Sequence, residues 1–141
     1  MTTTDKKLSD DFWLKEFSYV EPHNDLLFIL QMARYELRQA IIINKAGGTT
    51  RTFKEHFEIY YKKYNTSWKG HIPWNSRHLP KYGVGLRAVD ISSNGVSGKE
   101  LAKLFQDIAD MYHINIGLGV GINWIHIDVD RKESVVWYYD D

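Results

Sequence analysis

The stretch Trp124-Ile125-His126-Ile127-Asp128-Val129 constrains the fold more than any other part of the chain. Side chains on a strand alternate between two faces, so Ile125, Ile127 and Val129 share one face while Trp124, His126 and Asp128 share the other. The aliphatic face needs a core to cover it. The opposite face then carries an imidazole and a carboxylate beside an indole, an arrangement suited to a cleft. Arg87-Ala88-Val89-Asp90-Ile91 reads the same way, with Val89 and Ile91 toward the core and Ala88 and Asp90 away from it.

A half-covered sheet requires helices, and the pattern supplies them. From Pro22 onward Leu26, Leu27, Leu30, Ala33 and Leu37 recur at steps of three and four, leaving Arg34, Glu36 and Arg38 outside the stripe. Ser97-Gly98-Lys99-Glu100 and Thr52-Phe53-Lys54-Glu55 are capping boxes, in which hydroxyl and carboxylate satisfy free backbone donors of a first helical turn. The first opens a helix with Leu101, Leu104, Phe105, Ile108 and Met111 on one face; the second opens one carrying His56, Phe57, Tyr60, Tyr61 and Tyr64. Leu8 to Phe17 reads as a short leading helix capped by Ser9, with Asp10 and Asp11 near the positive end of its dipole.

Strands are expected at Ala40 to Asn44, Arg87 to Ser92, Ile114 to Ile116, Asn123 to Val129 and Ser134 to Tyr139. Gly117-Leu118-Gly119-Val120-Gly121 reads as a glycine turn, and Asp130 to Lys132 as the turn of a closing hairpin. Asn65 to Ser76, with Gly70, Pro73 and two Trp, and Leu79 to Leu86, with Pro80, Gly83 and Gly85, are irregular. The expected fold is α+β, one domain over residues 1–141, with a mainly antiparallel sheet and helices packed on it.

Composition narrows the function classes. Lys plus Arg and Asp plus Glu are 18 each, so no overall field draws the chain to nucleic acid or to an anionic membrane. There is no cysteine, which removes disulfides, thiolate nucleophiles and cysteine-based metal sites together. No apolar run approaches the ~20 residues of a membrane span, and Met1 to Asp11 has no apolar signal-peptide region. The expected product is a monomer made in the cytoplasm, without membrane insertion.

Taken in order, His78, Asp90 and His126 supply two imidazoles and a carboxylate on or beside strands. Zinc accepts such ligands in a tetrahedron, and a catalytic site keeps three protein ligands and leaves the fourth position to water. Each residue also has an ordinary explanation. A single strand His is more often a hydrogen-bonded structural residue, and a strand Asp, depleted there, needs a partner that Arg87 or Arg77 would provide.

The sequence resembles the D-Ala-D-Ala metallopeptidase family of peptidoglycan peptidases, whose fold is shared with the hedgehog signalling domain, and in particular its small phage and bacterial cell-wall endopeptidases. The resemblance rests on Ser76-Arg77-His78, on Ala88-Val89-Asp90-Ile91, and on the glycines Gly117, Gly119 and Gly121 leading to Trp124-Ile125-His126-Ile127-Asp128-Val129. Leu8-Ser9-Asp10-Asp11-Phe12 through Glu16-Phe17 is similar to the family's opening, and Trp137 falls where a Trp often closes the chain. The resemblance implies that His78, Asp90 and His126 are zinc ligands. It also implies that Arg51, in Thr50-Arg51-Thr52, clamps a substrate carboxylate with paired hydrogen bonds; a solvated loop cation is the alternative.

Two departures stand out. Leu79 to Val89 puts eleven residues between the first His and the Asp, more than the family usually has. Many members also carry an acid three residues before the last His, where this chain has Asn123. The implied activity is zinc-dependent hydrolysis of a peptide bond in bacterial peptidoglycan by an endolysin-like protein acting at the cell wall. Zinc would lower the pKa of its water and polarise the scissile carbonyl. Asp128 is the candidate base, or an acceptor orienting a ligand imidazole. Asn123, His71 or His113 would position substrate, and Trp74, Trp124 and Tyr82 would line the groove. The alternatives are an inactive metal-binding domain, for wall recognition or as part of a phage particle, and a metal-free α+β binding domain in which both His are structural.

Overall fold

The structure, a computed structural model, describes residues 4–44, 77–79 and 85–139. The expected helix from Thr52, the irregular stretch before His78, and Arg51, His71, Trp74 and Tyr82 lie outside these residues.

Five strands form one sheet in the order β1-β2-β4-β3-β5: β1 Ile42–Ile43, β2 Ala88–Ser92, β3 Gly117–Val120, β4 Ile125–Asp128 and β5 Val135–Tyr138. Among the described residues two α-helices, α1 Asn24–Leu37 and α2 Gly98–Tyr112, accompany the sheet. The architecture is α+β, with three antiparallel pairings and one parallel pairing between β3 and β5.

Both helices begin and end for local reasons. The His23 side chain accepts from the Asp25 amide to start α1, and Arg38 ends it in the left-handed region. Ser97 caps α2 by accepting the Glu100 amide; the Glu100 carboxylate returns to the Ser97 hydroxyl at 3.1 Å. Leu26, Ile29, Leu30 and Ala33 of α1 and Leu101, Ala102, Phe105, Ile108 and Ala109 of α2 are buried. They join Val89, Ile91, Leu118, Val120, Ile125 and Ile127 of the sheet in one core cluster. Met111 departs from expectation at 69% exposure. It lies on the α2 flank, about 60° around the helix from Ile108.

The N-terminal segment is not the expected helix. Lys7 bridges Trp13, and only Leu14–Phe17 turns, as a 3-10 helix. Ser9 and Asp11 do not cap; both bond the buried Gln31 amide of α1. Short polar side chains with such a partner favour loop over helix, while Phe12 and Phe17 insert into the core.

The larger correction concerns Gly117–Val120, a fully buried strand and not a turn. Leu118 and Val120 pack into the core, whereas Gly117 and Gly119 lie on the opposite face, where other side chains occupy the room a Cβ would take. Residues 114–116 therefore precede a strand and do not form one. The closing hairpin is corrected too. β3 sits between β4 and β5, so the last strand runs parallel to β3 and has no direct pairing with β4.

Candidate metal centre

The register of β2 and β4 places Asp90 directly opposite His126, on the face turned away from the aliphatic core. His78 arrives from a segment distant in sequence. The neighbouring Arg77 anchors it, its Nε donating to the Val129 carbonyl at 3.0 Å and its Nη2 to the Asp130 carbonyl at 2.9 Å. The guanidinium thereby pins the segment to the end of β4, and the His78 imidazole meets the His126 ring edge-on, centroids 5.1 Å apart.

Three atoms converge: His78 Nε2 and His126 Nδ1 at 3.3 Å, His126 Nδ1 and Asp90 Oδ1 at 3.1 Å, His78 Nε2 and Asp90 Oδ1 at 3.6 Å. Ligands about 2.05 Å from a tetrahedral ion lie about 3.3 Å from one another, so the triangle fits a metal of that size. Among the described residues this group alone meets the spacing of a metal site. Asp90 is thus engaged by two imidazoles, while Arg87 lies against Asp130 and Arg77 against Asp128.

His126 uses its other nitrogen as well. Its Nε2 lies 2.7 Å from Asp128 Oδ2, a bond that puts the ring proton on Nε2 and leaves the Nδ1 lone pair toward His78 and Asp90. Burial pushes the His126 imidazole down, but its bonds to Asp128 and Asp90 outweigh that and hold it above its ordinary value.

Asp128 is 1% exposed. Burial pushes its carboxyl up, yet hydrogen bonds from Arg131 and His126 prevail and bring it to about 2. Its oxygens receive Arg131 Nε and Nη2 as well as His126. A carboxylate so engaged is a weak base and a firm anchor for an imidazole.

Trp137 of β5 lies opposite Gly119, its ring centroid 5.2 Å from that of His126. Trp124 stacks on Tyr139 at 4.8 Å. Asn123 lines an open groove of about 570 Å³ with Ile42, Ser92, Ser93 and Glu100, and Ser92 stands two residues from Asp90 on the same strand face. His113 ends α2 in the left-handed region. Arg51, the expected carboxylate clamp, is outside the described residues.

Arg131 carries no sequence signal beyond its place in a turn. Its role depends on Asp128 being buried at the strand end, and no periodic pattern reports that. Trp137 was visible as a residue but not as a neighbour of His126, because the parallel pairing of β5 was not foreseen. No helix among the described residues is long and apolar enough to cross a membrane. Comparison with models of known families, with curated proteins and with solved structures finds no match to this chain.

Proposed function

We propose that the protein is a zinc-dependent peptidase of the D-Ala-D-Ala metallopeptidase type, hydrolysing a peptide bond of bacterial peptidoglycan. One observation carries the reading: the ligand atoms of His78, Asp90 and His126 form a triangle of 3.1 to 3.6 Å sides around a common point. His78, Asp90 and His126 would hold the ion, two imidazoles and one carboxylate being a donor set that suits zinc. Bound there, zinc supplies Lewis acidity, lowering the pKa of water and polarising a carbonyl.

The chain's own groups do the rest. Asp128 orients His126 and does not act as the base, since both of its oxygens are engaged by Arg131 and His126. Asn123 offers an amide donor and acceptor for a peptide backbone in the groove beside Ser92. Arg51 holds a substrate carboxylate.

A second reading, a metal-binding domain without hydrolytic activity, is favoured by one feature. Asn123 stands where the resemblance leads one to expect an acid, and an amide cannot take a proton from water. Digestion of purified peptidoglycan, followed by mass spectrometry of the released muropeptides, separates the two. Zinc-dependent cleavage that chelator and His126→Ala both abolish is the expected result and also identifies the bond. Zinc-loaded protein that leaves peptidoglycan from several sources intact contradicts the peptidase and favours the second reading.

A further inference from the structure

His126 is held from behind by two links, not one. Asp128 accepts from its Nε2, and Arg131 donates side-on to both oxygens of the same carboxylate, from Nε to Oδ1 and from Nη2 to Oδ2 at 2.8 Å. Paired Arg–carboxylate bonds fix the plane of the carboxylate, whereas a single donor leaves it free to turn. Arg77 cannot take this part. Its Nε is 3.9 Å from Asp128 Oδ1, beyond hydrogen-bond range, and that Nε and Nη2 donate to backbone carbonyls.

The place of Arg131 is itself constructed. Its guanidinium carbon lies 5.7 Å from the centre of the Trp137 ring, within cation–π range. Against it β3 has a glycine: a Cβ on Gly117 would collide with Arg131 Nε and with both oxygens of Asp128. The same Trp137 faces the His126 ring, so one indole touches both ends of the Arg131–Asp128–His126 chain.

Resting on the reading of His78, Asp90 and His126 as metal ligands, the geometry points to Arg131 as a positioning residue of the metal centre. Acting through Asp128, it fixes the rotation of the His126 ring so that Nδ1 meets the other two ligands. It touches neither metal nor substrate. Its effect is on how tightly and in what geometry the ion is held.

The test uses the full chain with zinc and cobalt(II) as probes. Arg131→Met keeps an unbranched side chain out to about the position of Nε and removes the charge and donors; Arg131→Lys keeps the charge and loses the paired donors. Zinc affinity, measured by competition with a chelator, is expected to fall about 10- to 100-fold in Arg131→Met and by less in Arg131→Lys. The visible absorption of bound cobalt(II), which reports coordination geometry, is expected to change in both, while far-UV circular dichroism stays that of the wild type. If both variants match wild-type affinity and cobalt spectrum, the inference is overturned. If Arg131→Met does not fold, Arg131→Lys alone decides by the same two readouts. A wild-type protein that binds neither ion overturns the metal-centre reading instead, so the two failures are distinguishable.

Discussion

At the residue scale, the two nitrogens of His126 assign different consequences to its neighbours. Nδ1 belongs to the triangle with His78 and Asp90, and Nε2 to Asp128. Replacing Asp128 by Asn keeps an acceptor for Nε2 but loses charge and the paired Arg131 bonds, so zinc affinity is expected to fall about tenfold, readable by chelator competition. Asp128 also carries a pH signature. A carboxyl held at about 2 in place of its ordinary 3.8 contributes about 2 kcal/mol of stability. The sign follows from a lowered value: the contribution is complete above the unfolded-chain pKa and is lost as pH falls through the folded one. In chelator-treated protein, the advantage of wild type over Asp128→Asn in urea midpoint should be full near neutral pH and shrink toward about pH 2. An advantage that does not change with pH removes Asp128 from this account. Asp90 and His126 were legible from strand period, and His78 from the order of ligands that the resemblance implies. Arg131 was not, because it follows the end of β4, where period two no longer says where a side chain points.

At the scale of elements, β3 shows both how far a pattern can be read and where the reading fails. Gly117, Gly119 and Gly121 suggested a turn, but Leu118 and Val120 between them alternate as a strand does, with the core on one side and bare backbone on the other. That bare face lets Trp137, Tyr139 and Arg131 approach closely; a Cβ on Gly119 would come 2.7 Å from Trp137 Nε1. Gly119→Val is therefore expected to destabilise by about 1–3 kcal/mol through overpacking, seen as a lower thermal midpoint; an unchanged midpoint contradicts the described packing. The segment that carries His78 depends on Arg77. Arg77→Ala is expected to weaken zinc binding with helical circular dichroism intact, since among the described residues the guanidinium's hydrogen bonds go to the end of β4. Retained affinity would mean that other contacts place His78. The two helices were readable from apolar period and the Ser97 cap. The parallel pairing of β5 was not, because strand order is set by long-range contacts that no local window contains.

At the scale of the molecule, one sheet divides two tasks. Its inner face, with α1, α2 and the aromatic residues Phe12 and Phe17, forms the core; its outer face gathers ligands from β2, β4 and the His78 segment. Because the ligands come from parts of the chain far apart in sequence, a metal that binds them binds the folded state alone. Saturation at about a thousand times Kd should then stabilise the fold by about 4 kcal/mol, and chelator should lower the thermal midpoint. The α+β class and the division into two faces followed from alternation in β2 and β4, whereas how the Arg51 region meets the site lies outside the described residues. The most direct measurement of the central claim is the metal content of purified protein after zinc loading and exhaustive dialysis, for wild type and His126→Ala. About one zinc per chain in the wild type and none retained by His126→Ala is the predicted result. No zinc in the wild type, or equal zinc in both, contradicts it.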